Sequence, residues 1–182
     1  ALDFHLALVG RKGGEKLPIA FKRKGRRHSA TVTLGTVPLQ PAEEVGTLAP
    51  GLVLRAFEGR WDRLPDFSKL QPVSTTTVRA IALGKWAGKD AFALEFTGYV
   101  KVPRDGVYGF YTRSDDGSRL WVGDQLVVDE WRDRWAKPIY VDRYIPTGNY
   151  RVRVEYYDRY GDATISVGWS RVVGGAAWHG EY

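Results

Sequence analysis

Residues 114–129 read Ser114-Asp115-Asp116-Gly117-Ser118-Arg119-Leu120-Trp121-Val122-Gly123-Asp124-Gln125-Leu126-Val127-Val128-Asp129. Two short runs, Ser118–Val122 and Gln125–Asp129, are rich in residues that suit a pleated strand. Each follows a glycine-bearing turn, Asp115-Asp116-Gly117 and Val122-Gly123-Asp124, so the stretch reads as strand, turn, strand. The same pattern continues outward. Strands are predicted at Gly51–Glu58, Ala91–Val100 and Gly106–Arg113 before it, and at Ile139–Ile145, Gly148–Tyr156 and Ala163–Trp169 after it. Further turns fall at Pro103-Arg104-Asp105-Gly106 and Pro146-Thr147-Gly148-Asn149. Many short strands without a long helical period predict an all-β antiparallel sandwich or barrel. Phe110, Leu120, Val152, Val154 and Trp169 are its expected core, and Trp61, Trp86 and Trp121 are assigned to packing with Trp169.

Composition agrees. Of 182 residues 43% are hydrophobic and 26% charged, which is globular rather than disordered, and 21 Gly with 9 Pro suit frequent turns. No apolar run approaches the roughly 20 residues that a membrane-spanning helix needs. Cysteine is absent, which removes disulfides, thiolate catalysis and Cys-based zinc sites. Methionine is absent too, as expected of a chain that begins within a longer or processed protein.

The net charge of +6 is unevenly spread: residues 1–46 hold eight Lys/Arg against four Asp/Glu, the remainder nineteen against seventeen. Most of it lies in Lys22-Arg23-Lys24-Gly25-Arg26-Arg27, flanked by the alternating runs Lys16–Lys24 and His28–Leu34, a predicted β-hairpin. Such a tip reads as a solvated turn or as a dock for an acidic protein partner; nucleic acid is not the expected partner. A short helix is predicted over Asp3–Gly10. The Pro- and Gly-containing stretch at 37–47 reads as a linker, so the chain divides into 1–36, the linker, a sandwich over 48–173 and an extension at 174–182.

Three stretches carry a more specific pattern: Arg55-Ala56-Phe57-Glu58-Gly59-Arg60-Trp61 through Phe67, Phe96-Thr97-Gly98-Tyr99-Val100 through Phe110, and the opening stretch at 114–129. Gly148-Asn149-Tyr150-Arg151-Val152 and Val167-Gly168-Trp169 follow. In this order they strongly resemble the protective-antigen fourteen-kilodalton (PA14) domain family over about 48–173. The resemblance implies a β-sandwich that generally serves as a binding module, often for carbohydrate, in secreted glycosidases, adhesins, toxins and proteases. Residues 1–36 resemble the last helix and last two strands of a PDZ domain, on Phe4-His5-Leu6-Ala7-Leu8, Gly13-Gly14-Glu15-Lys16-Leu17 and Ala30-Thr31-Val32-Thr33-Leu34-Gly35. Ala177-Trp178-His179-Gly180-Glu181-Tyr182 is similar to the opening strand of another PA14 module.

Asp115 and Asp116 are the chief site candidates. Two adjacent carboxylates in a tight turn repel each other, and a hard cation relieves that repulsion, since Ca²⁺ takes six to eight oxygens. In lectin-like members of the resembled family this pair, joined by a cis peptide bond, binds calcium, and the calcium binds sugar hydroxyls. The alternative is that Asp115, Asp116 and Ser118 only cap the turn by side-chain to backbone hydrogen bonds. Tyr157-Asp158-Arg159-Tyr160-Gly161-Asp162 corresponds to the family's second binding loop, making Asp158 and Asp162 further metal ligands. The lectin-like members often carry an Asn there and this chain has none; Arg159 is placed to pair off the two acids instead. Sugar rings stack on aromatic faces, which nominates Trp131, Trp135, Tyr157 and Tyr160 for ligand contact, with packing as the competing role for the tryptophans.

Enzymatic readings find little purchase. With three His and no Cys a nucleophilic triad lacks an obvious set. Adjacent Asp115 and Asp116 do not span the ~5–9 Å of a glycosidase carboxylate pair. The sequence therefore predicts a non-catalytic, extracytoplasmic module of a larger secreted, periplasmic or surface protein, binding a glycan or cell-surface polysaccharide with Ca²⁺ as cofactor. A structural or protein-interaction module without a sugar site is the alternative.

Overall fold

In a computed structural model, residues 11, 13–35, 41–130 and 137–172 are described; the predicted helix at 3–10, the extension at 174–182, Trp131 and Trp135 lie outside them. Period-2 alternation builds the rest. In the strand Phe92–Val102 the side chains of Phe92, Leu94 and Phe96 enter the main core with no exposure, while Ala93, Glu95 and Thr97 take the opposite face.

Eleven strands run in chain order among the described residues: β1 Lys16–Arg23, β2 Arg26–Thr33, β3 Leu52–Glu58, β4 Ser74–Val78, β5 Phe92–Val102, β6 Gly106–Asp115, β7 Ser118–Val122, β8 Gln125–Glu130, β9 Lys137–Ile145, β10 Gly148–Asp158 and β11 Thr164–Arg171. They form a six-stranded sheet in the order β4-β3-β5-β10-β7-β8, a three-stranded sheet β11-β6-β9 and the separate β1-β2 pair. Each pairing is antiparallel. Leu54, Leu94, Phe96, Leu120 and Val154 of the large sheet and Tyr108, Phe110 and Ile165 of the small one share one buried cluster. That is a β-sandwich, and burial of these side chains stabilises it by about 1.5–3 kcal/mol each.

All eight strands predicted after the linker are present, with ends shifted by no more than two residues. β4 was not foreseen. Its Ser-Thr-Thr-Thr-Val sequence lacks apolar alternation because it is an edge strand, bonded on one side to β3 and largely exposed. The predicted hairpin is β1-β2, turning through Lys24 and Gly25 with φ of 50° and 77°, the left-handed pair that suits a two-residue connection.

The tryptophans separate by position. Trp86 is buried and stacks on Phe92 at 5.3 Å. Trp61 and Trp121 are half-buried. Trp169, expected in the core, is 38% exposed: its ring meets Tyr108 and Phe110, yet among the described residues β11 is an edge strand with no strand beyond it. Val152 is partly buried against the core, whereas Phe110, Leu120 and Val154 are fully inside.

A second, smaller cluster lies on the outer face of the large sheet. The segment after β3 folds back there, so that Leu64 and Phe67, with Trp61 and Leu70, cover Phe57, Ala93 and Tyr157. Asp66 caps the 3₁₀ turn Phe67–Lys69, accepting from the Ser68 N–H, which aims Phe67 at the sheet. Upstream, Glu43 forms an isolated bridge to Asn149, and its Oε2 accepts from the Tyr99 hydroxyl at 2.9 Å.

Candidate functional site

The Asp115–Asp116 turn lies at one end of the sandwich because β6 ends at Asp115 in the small sheet and β7 begins at Ser118 in the large one. The chain changes sheets within two residues. A buried hydroxyl chain secures the crossing: Ser114 donates to Ser118 at 2.8 Å, and Ser118 to Thr112 at 3.1 Å. The Tyr156 hydroxyl donates to the Asp115 carbonyl, and the Tyr157 N–H to that of Gly117. The bond between Asp115 and Asp116 is cis, as the family resemblance implies.

Asp116 is buried, and its Oδ2 accepts the Arg159 N–H at 2.7 Å. This bond ties the Asp pair to the segment after β10, so the structure brings together the two loops that the sequence nominated. Asp158 closes β10 opposite Phe92. It has no exposure, and neither carboxylate oxygen has a hydrogen-bond partner. Burial, reinforced by the charges of Asp90 and Asp115, raises its carboxyl to about 6; the nearby Ala91 N–H opposes this without reaching hydrogen-bond geometry.

Asp90 had not been singled out. It lies on the loop before β5 and accepts the Gly161 N–H at 3.1 Å. Nothing in local spacing marks it, because the pairing of β5 with β10 across more than sixty residues carries it here.

The other candidates fall out differently. Asp162 is exposed, as is Tyr160, at 58%. Tyr157 is fully buried in the outer-face cluster, so its ring packs against Phe57 and Phe67's neighbourhood instead of offering a stacking surface. Arg159 does not pair off Asp158 and Asp162: its guanidinium reaches Asp62 at 3.1 Å and lies 5.4 Å from the Tyr160 ring centroid.

Oxygen donors that include one orphaned buried carboxylate suit a hard cation such as Ca²⁺. Among the described residues, no three His, Cys, Asp or Glu side chains are grouped closely enough to hold a metal by themselves. Backbone carbonyls would have to complete the set.

Known proteins share this architecture. The sequence profile of the PA14 domain matches residues 83–176, just over half of the chain. An anti-sigma-I factor, RsgI3, of Acetivibrio thermocellus is 36% identical over 84 residues, 46% of this chain but 13% of that protein. Among solved structures, an anti-sigma factor domain-containing protein aligns with a TM-score of 0.56 and 28% identity, over 68% of this chain and 43% of its own. A PA14 sugar-binding domain from an RTX adhesin aligns at the same TM-score with 18% identity, over 68% of this chain and 91% of its own. The chain thus spans a small part of the curated relative and under half of the first structural one, and by the profile match over just over half of its length it belongs to the PA14 domain family.

Proposed function

We propose that this chain is a non-catalytic binding module for carbohydrate, operating outside the cytoplasm as part of a larger protein. In this reading Asp115 and Asp116 hold a calcium ion with backbone carbonyls completing the set, Asp158 adds its charge beside them, and the exposed Asp162 and Tyr160 lie at the rim. The observation that carries it is Asp158: a carboxylate with no exposure and no hydrogen-bond partner, beside the Asp pair. Left alone, a buried charge is costly, and a bound cation offsets that cost. Calcium would supply coordination sites for sugar hydroxyls. The protein's part is to fix the pair through the Arg159 N–H and to anchor the Asp115 carbonyl on the Tyr156 hydroxyl. The sugar-binding domain of the RTX adhesin supports the ligand class, and the PA14 membership supports a binding rather than catalytic role. No helix among the described residues is long and apolar enough to cross a membrane.

The test is isothermal titration with calcium on the native chain and on Asp115→Asn/Asp116→Asn, with thermal melting and then a glycan array. Saturable binding with a rise in melting temperature, both lost in the double variant, supports the reading. Silence up to millimolar calcium overturns the metal site. A structural or protein-interaction module then becomes the better account, consistent with the hydrogen bonds that already hold the turn at Asp116.

A further inference from the structure

The outer face of the large sheet holds a feature unrelated to the calcium reading. Between the segment after β3 and strands β7 and β10 runs an open groove of about 1020 Å³, lined by residues 60–70 together with Arg119, Trp121, Arg153 and Glu155. Arg119 and Glu155 belong to a cross-strand row. Arg55, Glu95, Glu155, Arg119 and Asp129 stand opposite one another on five consecutive strands.

The two outer acids of this row are answered. Arg55 pairs with Glu95 at 2.5 Å and Arg119 with Asp129 at 2.6 Å. Glu155, between Glu95 and Arg119, has instead the longer contact to Arg153 at 3.6 Å. It is 5% exposed, and burial, partly offset by Arg153 and Arg119, raises its carboxyl to about 7. The groove thus contains a buried carboxyl that is still partly protonated near neutral pH and can donate there.

Its cations and rings are also held in place. The Arg153 guanidinium stacks 3.9 Å from the Trp121 ring centroid. The Trp61 ring is seated on the Gly59 backbone so closely that a Cβ at Gly59 would come within 2.7 Å of it. Arg60 and Arg63, both exposed, have no ion-pair partner among the described residues. A ligand answering this surface carries anionic groups for the arginines, a C–H face for a tryptophan and a hydroxyl for Glu155.

We propose that the groove binds an acidic oligosaccharide, one whose sugar rings bear carboxylates, independently of calcium. Arg60 and Arg63 take the ligand's carboxylates, Trp61 gives the stacking surface, and Glu155 donates to a hydroxyl. This inference rests on the carbohydrate reading above, but not on its metal site.

The experiment is titration of the full chain with an oligogalacturonate in excess chelator, with a neutral galacto-oligosaccharide and poly-glutamate as comparison probes. Arg60→Ala/Arg63→Ala is the surface variant least able to disturb folding, checked by its melting temperature. Binding of the oligogalacturonate should persist in chelator and in Asp115→Asn/Asp116→Asn. It should weaken by about tenfold for each arginine removed, the usual worth of a charge-assisted hydrogen bond. Oligogalacturonate binding untouched by the double arginine variant, abolished by chelator, or equalled by the neutral sugar overturns the proposal. Equal binding of poly-glutamate overturns the sugar class in favour of an acidic peptide. If calcium-dependent binding of a neutral glycan is found while oligogalacturonate fails, the groove fails alone and the module's carbohydrate role stands. If neither sugar binds under either condition, both readings fall.

Discussion

Glu155→Gln should change how the stability of this domain responds to pH. In the folded protein the Glu155 carboxyl sits at about 7, against an ordinary value of 4.5. Burial is the main cause, with Glu95 and Asp66 adding to it and Arg153 and Arg119 opposing it. Arg55, on the far side of Glu95, is engaged by that residue. Below pH 4.5 the side chain is protonated whether folded or unfolded. Between 4.5 and 7 the unfolded chain ionises while the folded one keeps its proton, so stability falls as pH rises; above 7 the fall is complete. Two and a half units correspond to about 3 kcal/mol. Glutamine imitates the protonated acid at every pH. The wild type should therefore lose about 3 kcal/mol relative to the variant between pH 4 and pH 8, whatever constant offset the substitution brings. Urea unfolding of both proteins at several pH values and fixed ionic strength reads this difference, and the other titrating groups cancel to first order. A flat difference, or one that favours the wild type at high pH, would refute the reasoning and make the Arg153 contact stronger than desolvation.

Arg55→Ala removes the cation from Glu95, which is 4% exposed, and is expected to cost about 3 kcal/mol in urea unfolding, much of it restored by adding Glu95→Gln. Gly148 has a φ of 145°, and a Cβ there would lie 2.2 Å from that of Ala42; Gly148→Ala should therefore lower stability by about 2 kcal/mol and loosen the Glu43–Asn149 bridge, read by melting and by amide exchange at Glu43. Asp158→Asn should erase calcium-dependent stabilisation, about 2.7 kcal/mol at a calcium concentration of roughly 100 Kd, while the protein still folds. Persistence of the full rise in that variant would remove Asp158 from the calcium site.

The fold was legible because its strands alternate cleanly between turn signals: β5, β6, β7 and β10 each put apolar residues on one face, and Asp115-Asp116-Gly117 marks the crossing between sheets. What stayed hidden depends on contacts distant in sequence. β4 shows no alternation because neither of its faces is deeply buried. Asp90 reaches the Asp158 neighbourhood only through the pairing of β5 with β10.

The larger surprise is what alternation means on the outer face of the six-stranded sheet. A residue between two core positions ordinarily points to water, and Glu95 and Glu155 read that way in their strands. Both are 5% exposed or less, because the segment after β3 returns across the sheet and Leu64 and Phe67 close part of it. That cover turns a solvated face into a groove wall, and turns two ordinary surface glutamates into buried groups whose energies depend on which arginine reaches them. Arg159 shows the same redistribution. Sequence proximity assigned it to Asp158 and Asp162, but the returning segment brings Asp62 within 3.1 Å of its guanidinium. Its guanidinium thus reaches the rim of the groove while its backbone N–H donates to Asp116. Through Arg159 the Asp115–Asp116 turn is thus linked to a loop fifty residues upstream.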